Sequence, residues 1–256
     1  MEKKAFTLTE MLVVMSVVSV VMAILLPVLS RSCAEGKRIV CLSNLRQLCV
    51  AAREYAWDND DYYPIAYMTD PNPDDLTVVS ISWDFVYTDN HETSEKQIKP
   101  GLVWGGQTIE KVQQCPAFKG SISLSEPYTG YNYNTSYIGH GSNEFITKPA
   151  KMAQVRKPEE CALFGDGEYY GGANKYMRAP LKSSSNKFDF PTAGTQGYRH
   201  GGRTNVVWCD GHGSSQKELY TDTSEGGGKK KLEKYNRKAK VKVGFLSPDN
   251  SAYDLE

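Results

Sequence analysis

Two histidines and two carboxylates, His200, His212, Asp210 and Asp166, are residue types from which a metal-dependent hydrolase builds its site. The patterns that accompany such chemistry are missing: there is no HExxH, no GxSxG and no P-loop. Asp166 and Asp210 each stand before a glycine, Gly167 and Gly211, which is turn chemistry. Turn aspartates are therefore the preferred reading, and no enzyme activity is expected. A second set of oxygens, Asp58 and Asp60, lies at alternate positions that would suit Ca²⁺. The glycine and distant glutamate of a calcium loop are absent, so a solvated acidic turn is preferred and no cofactor is required. The third candidate is Glu10, a lone acid at the edge of nineteen uncharged residues, Met11–Leu29. An ionised group loses its hydration in hydrocarbon, so this one needs a compensating partner.

The elements that position these residues follow from the pattern. As a helix, Met11–Leu29 spans about 28 Å at about 1.5 Å per residue, close to a hydrocarbon core of about 30 Å. A signal peptide cut near Ser32-Cys33-Ala34 is the competing reading; the length of the run and the helical spacing beyond it favour a retained span. Lys3 and Lys4 on one side face Arg31, Lys37 and Arg38 on the other, so flanking charge does not orient it. Beyond the span, Leu42, Leu45, Leu48, Cys49, Ala52, Tyr55 and Ala56 recur at helical steps, with Ser43, Asn44, Arg46, Gln47, Arg53 and Glu54 on the other side. Pro27 and Gly36 are bend points, and the helix should end near Trp57.

The first residues resemble a type IV prepilin or type II secretion pseudopilin. Lys-Lys-Ala-Phe-Thr-Leu-Thr-Glu at 3–10 gives a short basic leader, a cut between Ala5 and Phe6, and Glu10 as fifth mature residue. Ala5 stands where the family prefers glycine. Pro27 falls where many members carry a kink. The resemblance implies cleavage by a prepilin peptidase, N-methylation of Phe6, and pairing of Glu10 with the Phe6 amine of a neighbouring copy. It also implies a single-pass protein of the bacterial inner membrane, with its ectodomain in the periplasm or outside the cell. The partners implied are further copies, related pseudopilins and the secretion or pilus assembly machinery. Asp58–Pro64 resembles the turn after the long helix of major pseudopilins.

A second resemblance covers the ectodomain. His200, nine intervening residues and Asp210-Gly211 resemble the H-X9-DG domain associated with prepilins, as do Cys41–Gln47, Cys115-Pro116, Gly130–Asn132 and Val155 to Asp166-Gly167. Asn205–Cys209 reads as a strand closed by the Asp-Gly turn. Fully extended, His200 would lie about 33 Å from Asp210. The pair meets only if Gly201-Gly202 folds the segment back. A structural lock is the preferred role for His200, Asp210 and Gly211.

Strand candidates are Thr77–Ile81, Phe85–Tyr87, Leu102–Trp104, Tyr131–Ile138, Cys161–Phe164 and Thr204–Cys209. Acidic and basic residues balance at 30 each, so bulk charge offers nothing to nucleic acid. Residues 228–242 nevertheless hold eight basic residues and one acid, following a Gly226–Gly228 linker. This segment reads as a solvated appendage or as a contact for an anionic partner, with Gly244–Pro248 returning to the body. Cys33, Cys41 and Cys49 lie about 12 Å apart along the helix, too far to bridge one another. Bridges to or among Cys115, Cys161 and Cys209, or buried free thiols, remain the alternatives.

The expected architecture is α+β and pilin-like, a long N-terminal helix packed on an antiparallel sheet. Its segments are a leader at 1–5, a transmembrane helix at 6–30, an amphipathic helix at 31–57, a β-rich ectodomain at 58–225 and a Gly/Lys-rich segment at 226–256. The expected function is a subunit of a type II secretion pseudopilus or type IV pilus-like fibre. The rival is a monomeric membrane-anchored surface protein binding polysaccharide or a partner protein.

Overall fold

A computed structural model describes residues 7–71, 77–90, 93, 95–105, 112–121, 129–184, 190–223 and 228–256. Ala5 and Phe6, the expected cleavage point, lie outside the described residues. Helix α1 runs unbroken from Leu8 to Asp58, through both Pro27 and Gly36. Thr7 caps its start: the Thr7 hydroxyl accepts from the Glu10 N–H, and the Glu10 carboxylate accepts from the Thr7 N–H at 2.8 Å. This reciprocal box satisfies two helix-end groups that otherwise lack partners. At the other end, Asp60 and Asp61 take left-handed backbone angles of +52° and +65°. Short polar side chains enter that region more readily than branched ones, so the acidic cluster stops the helix.

The strands are β1 (Tyr67–Pro71), β2 (Thr77–Ser82), β3 (Phe85–Asn90), β4 (Glu95–Pro100), β5 (Asn132–Asn134) and β6 (Ala162–Gly165). They continue with β7 (Tyr176–Met177), β8 (Gln196–Gly197), β9 (Thr204–Trp208), β10 (Gly213–Gln216) and β11 (Val243–Gly244). The first four form one antiparallel meander. A five-stranded sheet has the order β10-β9-β6-β5-β7, antiparallel except for the β5–β7 pair, and β8 pairs with β11. The fold is α+β, with a long N-terminal helix against antiparallel sheets.

Alternation along β9 explains the layering. Val207 joins Leu45, Leu48 and Ala52 of α1 in one core, while Val206 and Trp208 join a second core behind the sheet. That second core draws on the C-terminal segment. Helix α2 (Gly228–Asn236) buries Leu232, and Val243, Phe245 and Tyr253 follow it inward. The basic residues of α2 stay outside while one apolar stripe enters, so residues 228–256 complete the body.

Several expectations need correction. Leu102–Trp104 forms a single 3-10 turn; its neighbours Gly101 and Gly105 flank a sharp change of direction. Of Tyr131–Ile138 only Asn132–Asn134 is strand, because the Asn134 carboxamide accepts from Tyr137 N–H and closes a turn. The buried stripe of α1 is Cys41, Asn44, Leu45, Leu48, Cys49, Ala52 and Ala56. Asn44 therefore faces inward, donating to the Gln114 carbonyl at 3.4 Å, while Leu42 and Tyr55 sit at the margins.

Candidate functional site

The N-terminal half of α1 is built to meet something other than water. Every residue from 7 to 37 is exposed, including the apolar run from Met11 to Leu29. Its only hydroxyls are satisfied within the helix, Ser16 Oγ donating to Val13 O and Ser19 Oγ to Met15 O, each at 2.7 Å. These two hydroxyls add no unmet polar group to the run, whose backbone ladder is interrupted only where Pro27 offers the Ala23 carbonyl no N–H. Glu10 sits at the entry. One carboxylate oxygen, Oε2, takes both the Thr7 N–H and the Thr7 hydroxyl.

A different constellation lies where α1 meets the sheet. Cys41 from α1, Cys115 from the turn after residue 112, Asp166 from the end of β6 and His200 from the turn before β9 converge there. All four are buried, and one donor atom from each lies within 4.8 Å of the others. Cys41 Sγ is 3.1 Å from Asp166 Oδ1, Cys115 Sγ is 3.6 Å from His200 Nε2, and His200 Nε2 is 3.3 Å from Asp166 Oδ2.

Local backbone explains the convergence. Gly201 and Gly202 have φ of +63° and +80°, and His200 and Arg203 exchange both backbone hydrogen bonds. Two positive angles at the centre of a two-residue hairpin turn favour paired glycines. The turn folds the chain back and aims the imidazole at Asp166. Asn205 N–H donates to Asp166 Oδ2 at 2.7 Å, fixing the carboxylate. Arg199, fully enclosed, reaches Asp166 at 3.7 Å and Glu168 at 3.1 Å.

These contacts set the charge states. Burial works against a charged His200, but its hydrogen bonds to Asp166 and Cys115 hold its pKa up, at about 9. Burial raises the Cys115 thiol, while the Cys41 hydrogen bond, the Arg199 charge and His200 bring it down to about 6. Asp166 pays for burial yet stays below the usual carboxylate range beside Arg199 and His200. Burial, together with the neighbouring Cys115 and Asp166, pushes Cys41 well up.

Cys, His and Asp are also the parts of a nucleophilic triad. A triad divides its contacts between the two ring nitrogens, with the acid on Nδ1 and the nucleophile on Nε2. Here both neighbours approach Nε2, and the buried Nδ1 has no hydrogen-bond partner among the described residues. The arrangement therefore differs from a triad in where the acid meets the ring.

Residues 1–26 match the family model described as Prokaryotic N-terminal methylation motif. The chain is type IV prepilin-like. That match and the exposed apolar helix mark a protein anchored in a membrane by one span. No curated protein and no solved structure matches the chain. The ectodomain resemblance built on His200 and Asp210-Gly211 lies beyond the matched segment.

In the prepilin-like chain His200 and Asp210 do not meet each other. His200 meets Asp166; Asp210 instead pairs with His212 at 2.7 Å on the surface. The four-residue hydrolase set is thus split into a buried pair and an exposed pair. Asp210-Gly211 closes the β9–β10 hairpin, Gly211 taking φ +96°, and the Asp210 carbonyl accepts from Arg53 of α1 at 3.2 Å. Among the described residues, Asp58, Asp60, Asp210 and His212 belong to no group able to hold one metal ion. Sequence reasoning missed Cys41 and Cys115 as partners of His200. Their positions are separated by 74 and 85 residues along the chain, so no short motif announces them. It also missed the capping box, although Thr7-x-x-Glu10 is its sequence signature.

Proposed function

We propose that this protein is a structural subunit of a type II secretion pseudopilus or related type IV pilus-like fibre. A prepilin peptidase would cut it before Phe6, and its ectodomain would lie outside the bacterial inner membrane. The observation that carries the reading is the methylation motif at residues 1–26 leading into one continuous helix. Among the described residues, the apolar run in the first half of that helix has no packing partner, and the second half is fixed to the sheet.

The mechanism is assembly rather than catalysis. Exposed apolar faces bury one another in a helix bundle. Thr7 occupies Glu10 Oε2, and no hydrogen bond to Oε1 exists among the described residues. Oε1 therefore accepts the Phe6 ammonium of a neighbour, because a charge pair in low dielectric is favoured over two orphaned charges. The cap orients the carboxylate, and the pair sets register between copies.

Shearing cells and sedimenting the released fibres tests this directly. Wild-type chain should enter the pellet and Glu10→Ala should remain with the membrane. A wild-type chain that stays monomeric in the membrane would favour the surface-binding alternative.

A further inference from the structure

We propose that Cys41, Cys115, Asp166 and His200 form a closed tetrahedral site for a divalent zinc-class metal ion, clasping α1 to the sheet. The proposal concerns the ectodomain and stands whether or not the chain polymerises.

Distances carry it. With metal–sulfur bonds near 2.3 Å and metal–nitrogen and metal–oxygen bonds near 2.0–2.1 Å, a tetrahedron has an N–O edge of about 3.4 Å and an S–N edge of about 3.6 Å. The corresponding atoms lie 3.3 Å and 3.6 Å apart. Cys41 Sγ lies 3.1 Å from the other Asp166 oxygen, Oδ1, and one donor atom from each of the four residues falls within 4.8 Å of the rest, so a small turn of the carboxylate brings a single oxygen into register with both. The donor set also has the right chemistry: two thiolates, one imidazole and one carboxylate select zinc over oxygen-seeking calcium or magnesium.

Two of the three other buried thiols offer a contrast. Cys161 and Cys49 donate to the backbone carbonyls of Tyr253 and Trp208, as unreactive core thiols do. Cys41 and Cys115 instead face side chains that are themselves metal ligands. Cys41, Cys115 and Asp166 are 0% exposed and His200 5%, so four protein donors fill the coordination sphere and leave no position for substrate. Such a site is structural. Its ligands come from four separate segments, and the ion would join α1 to all three ectodomain segments at one point.

The test uses the full chain in detergent, dialysed against metal-free buffer and assayed for bound metal by mass spectrometry. About one zinc per chain is expected. Stripped protein given Co²⁺ should develop the intense visible bands of tetrahedral cobalt and a thiolate-to-cobalt charge-transfer band. Cys33→Ser, at an exposed helix position, should leave both readouts unchanged. Cys115→Ser and Asp166→Asn should weaken metal retention by about tenfold or more. The wild-type cobalt spectrum stands even if these variants fold poorly. Absence of tetrahedral cobalt in the wild type would overturn the proposal, as would undiminished metal in Cys115→Ser. A two-proton mass deficit mapped to a Cys41–Cys115 disulfide would overturn it too.

Discussion

His200 Nε2 lies 3.3 Å from Asp166 Oδ2, while Asp210, the aspartate in its own segment, faces outward and pairs with His212. The two Asp-Gly pairs of the chain therefore do different work. Asp166-Gly167 sits in the buried joint between helix and sheet. Asp210-Gly211 closes a hairpin whose tip touches α1 through Arg53.

The two glycines should accordingly differ in tolerance. A Cβ on Gly167 would lie 2.0 Å from the Asn174 carbonyl oxygen, a backbone atom with nowhere to move. On Gly211 the nearest atom is the Arg53 guanidinium at 3.6 Å, so only its positive φ opposes a side chain. Gly211→Ala should cost about 1 kcal/mol, and Gly167→Ala several times more. Urea unfolding of the full chain in detergent, followed by tryptophan fluorescence, gives the comparison.

Arg178 and Glu144 form a buried ion pair, Nε to Oε1 at 2.8 Å, with side chains 2% and 0% exposed. Replacing Arg178 by Met leaves Glu144 as an uncompensated buried acid. The expected loss is about 3–5 kcal/mol in the same unfolding assay. Arg178→Met with Glu144→Gln should recover part of it, because the orphaned charge is then gone.

His140 supplies a pH dependence of known sign. Burial holds its pKa at about 4, against 6.5 for a free imidazole. The unfolded chain thus binds the proton first, so the contribution is full above about pH 6.5 and is lost as pH falls towards 4. The effect should reach about 2–3 kcal/mol, and His140→Asn, whose side chain tolerates the +49° backbone angle, should flatten it. Urea midpoints measured between pH 4 and 7 decide the matter.

Glu10→Gln separates two roles that one carboxylate fills. Glutamine completes a capping box as glutamate does but carries no charge. The account predicts a helix that starts normally, seen by circular dichroism, and a chain that no longer enters sheared fibres. Wild-type incorporation would reduce Glu10 to a cap.

The helix and the chemistry of its entry were legible because they are local. A charge-free run of membrane length, a basic leader and helical spacing beyond Leu42 need only neighbouring residues. Stripe direction was harder to read. Asn44 looks polar, yet the Gln114 carbonyl gives it a buried partner. The meander's outer strands β1 and β4 were missed because Tyr67–Pro71 and Glu95–Pro100 carry prolines and charges typical of edges. The tail was read as a possible appendage on its lysines, but Leu232, Val243, Phe245 and Tyr253 are the residues that fold it onto the sheet. The joint at His200 was least legible. Its turn was visible in Gly201-Gly202, but the partner it turns towards is set by how β6 and β9 pair.

Mass spectrometry of the N-terminus, on full-length protein expressed in a bacterium with a prepilin peptidase, bears most directly on the fibre-subunit reading. The account predicts a mature chain beginning at N-methylated Phe6. A chain retaining Met1, or one cut near Ser32–Ala34, would contradict it, since either leaves Glu10 without the neighbouring amine on which register depends.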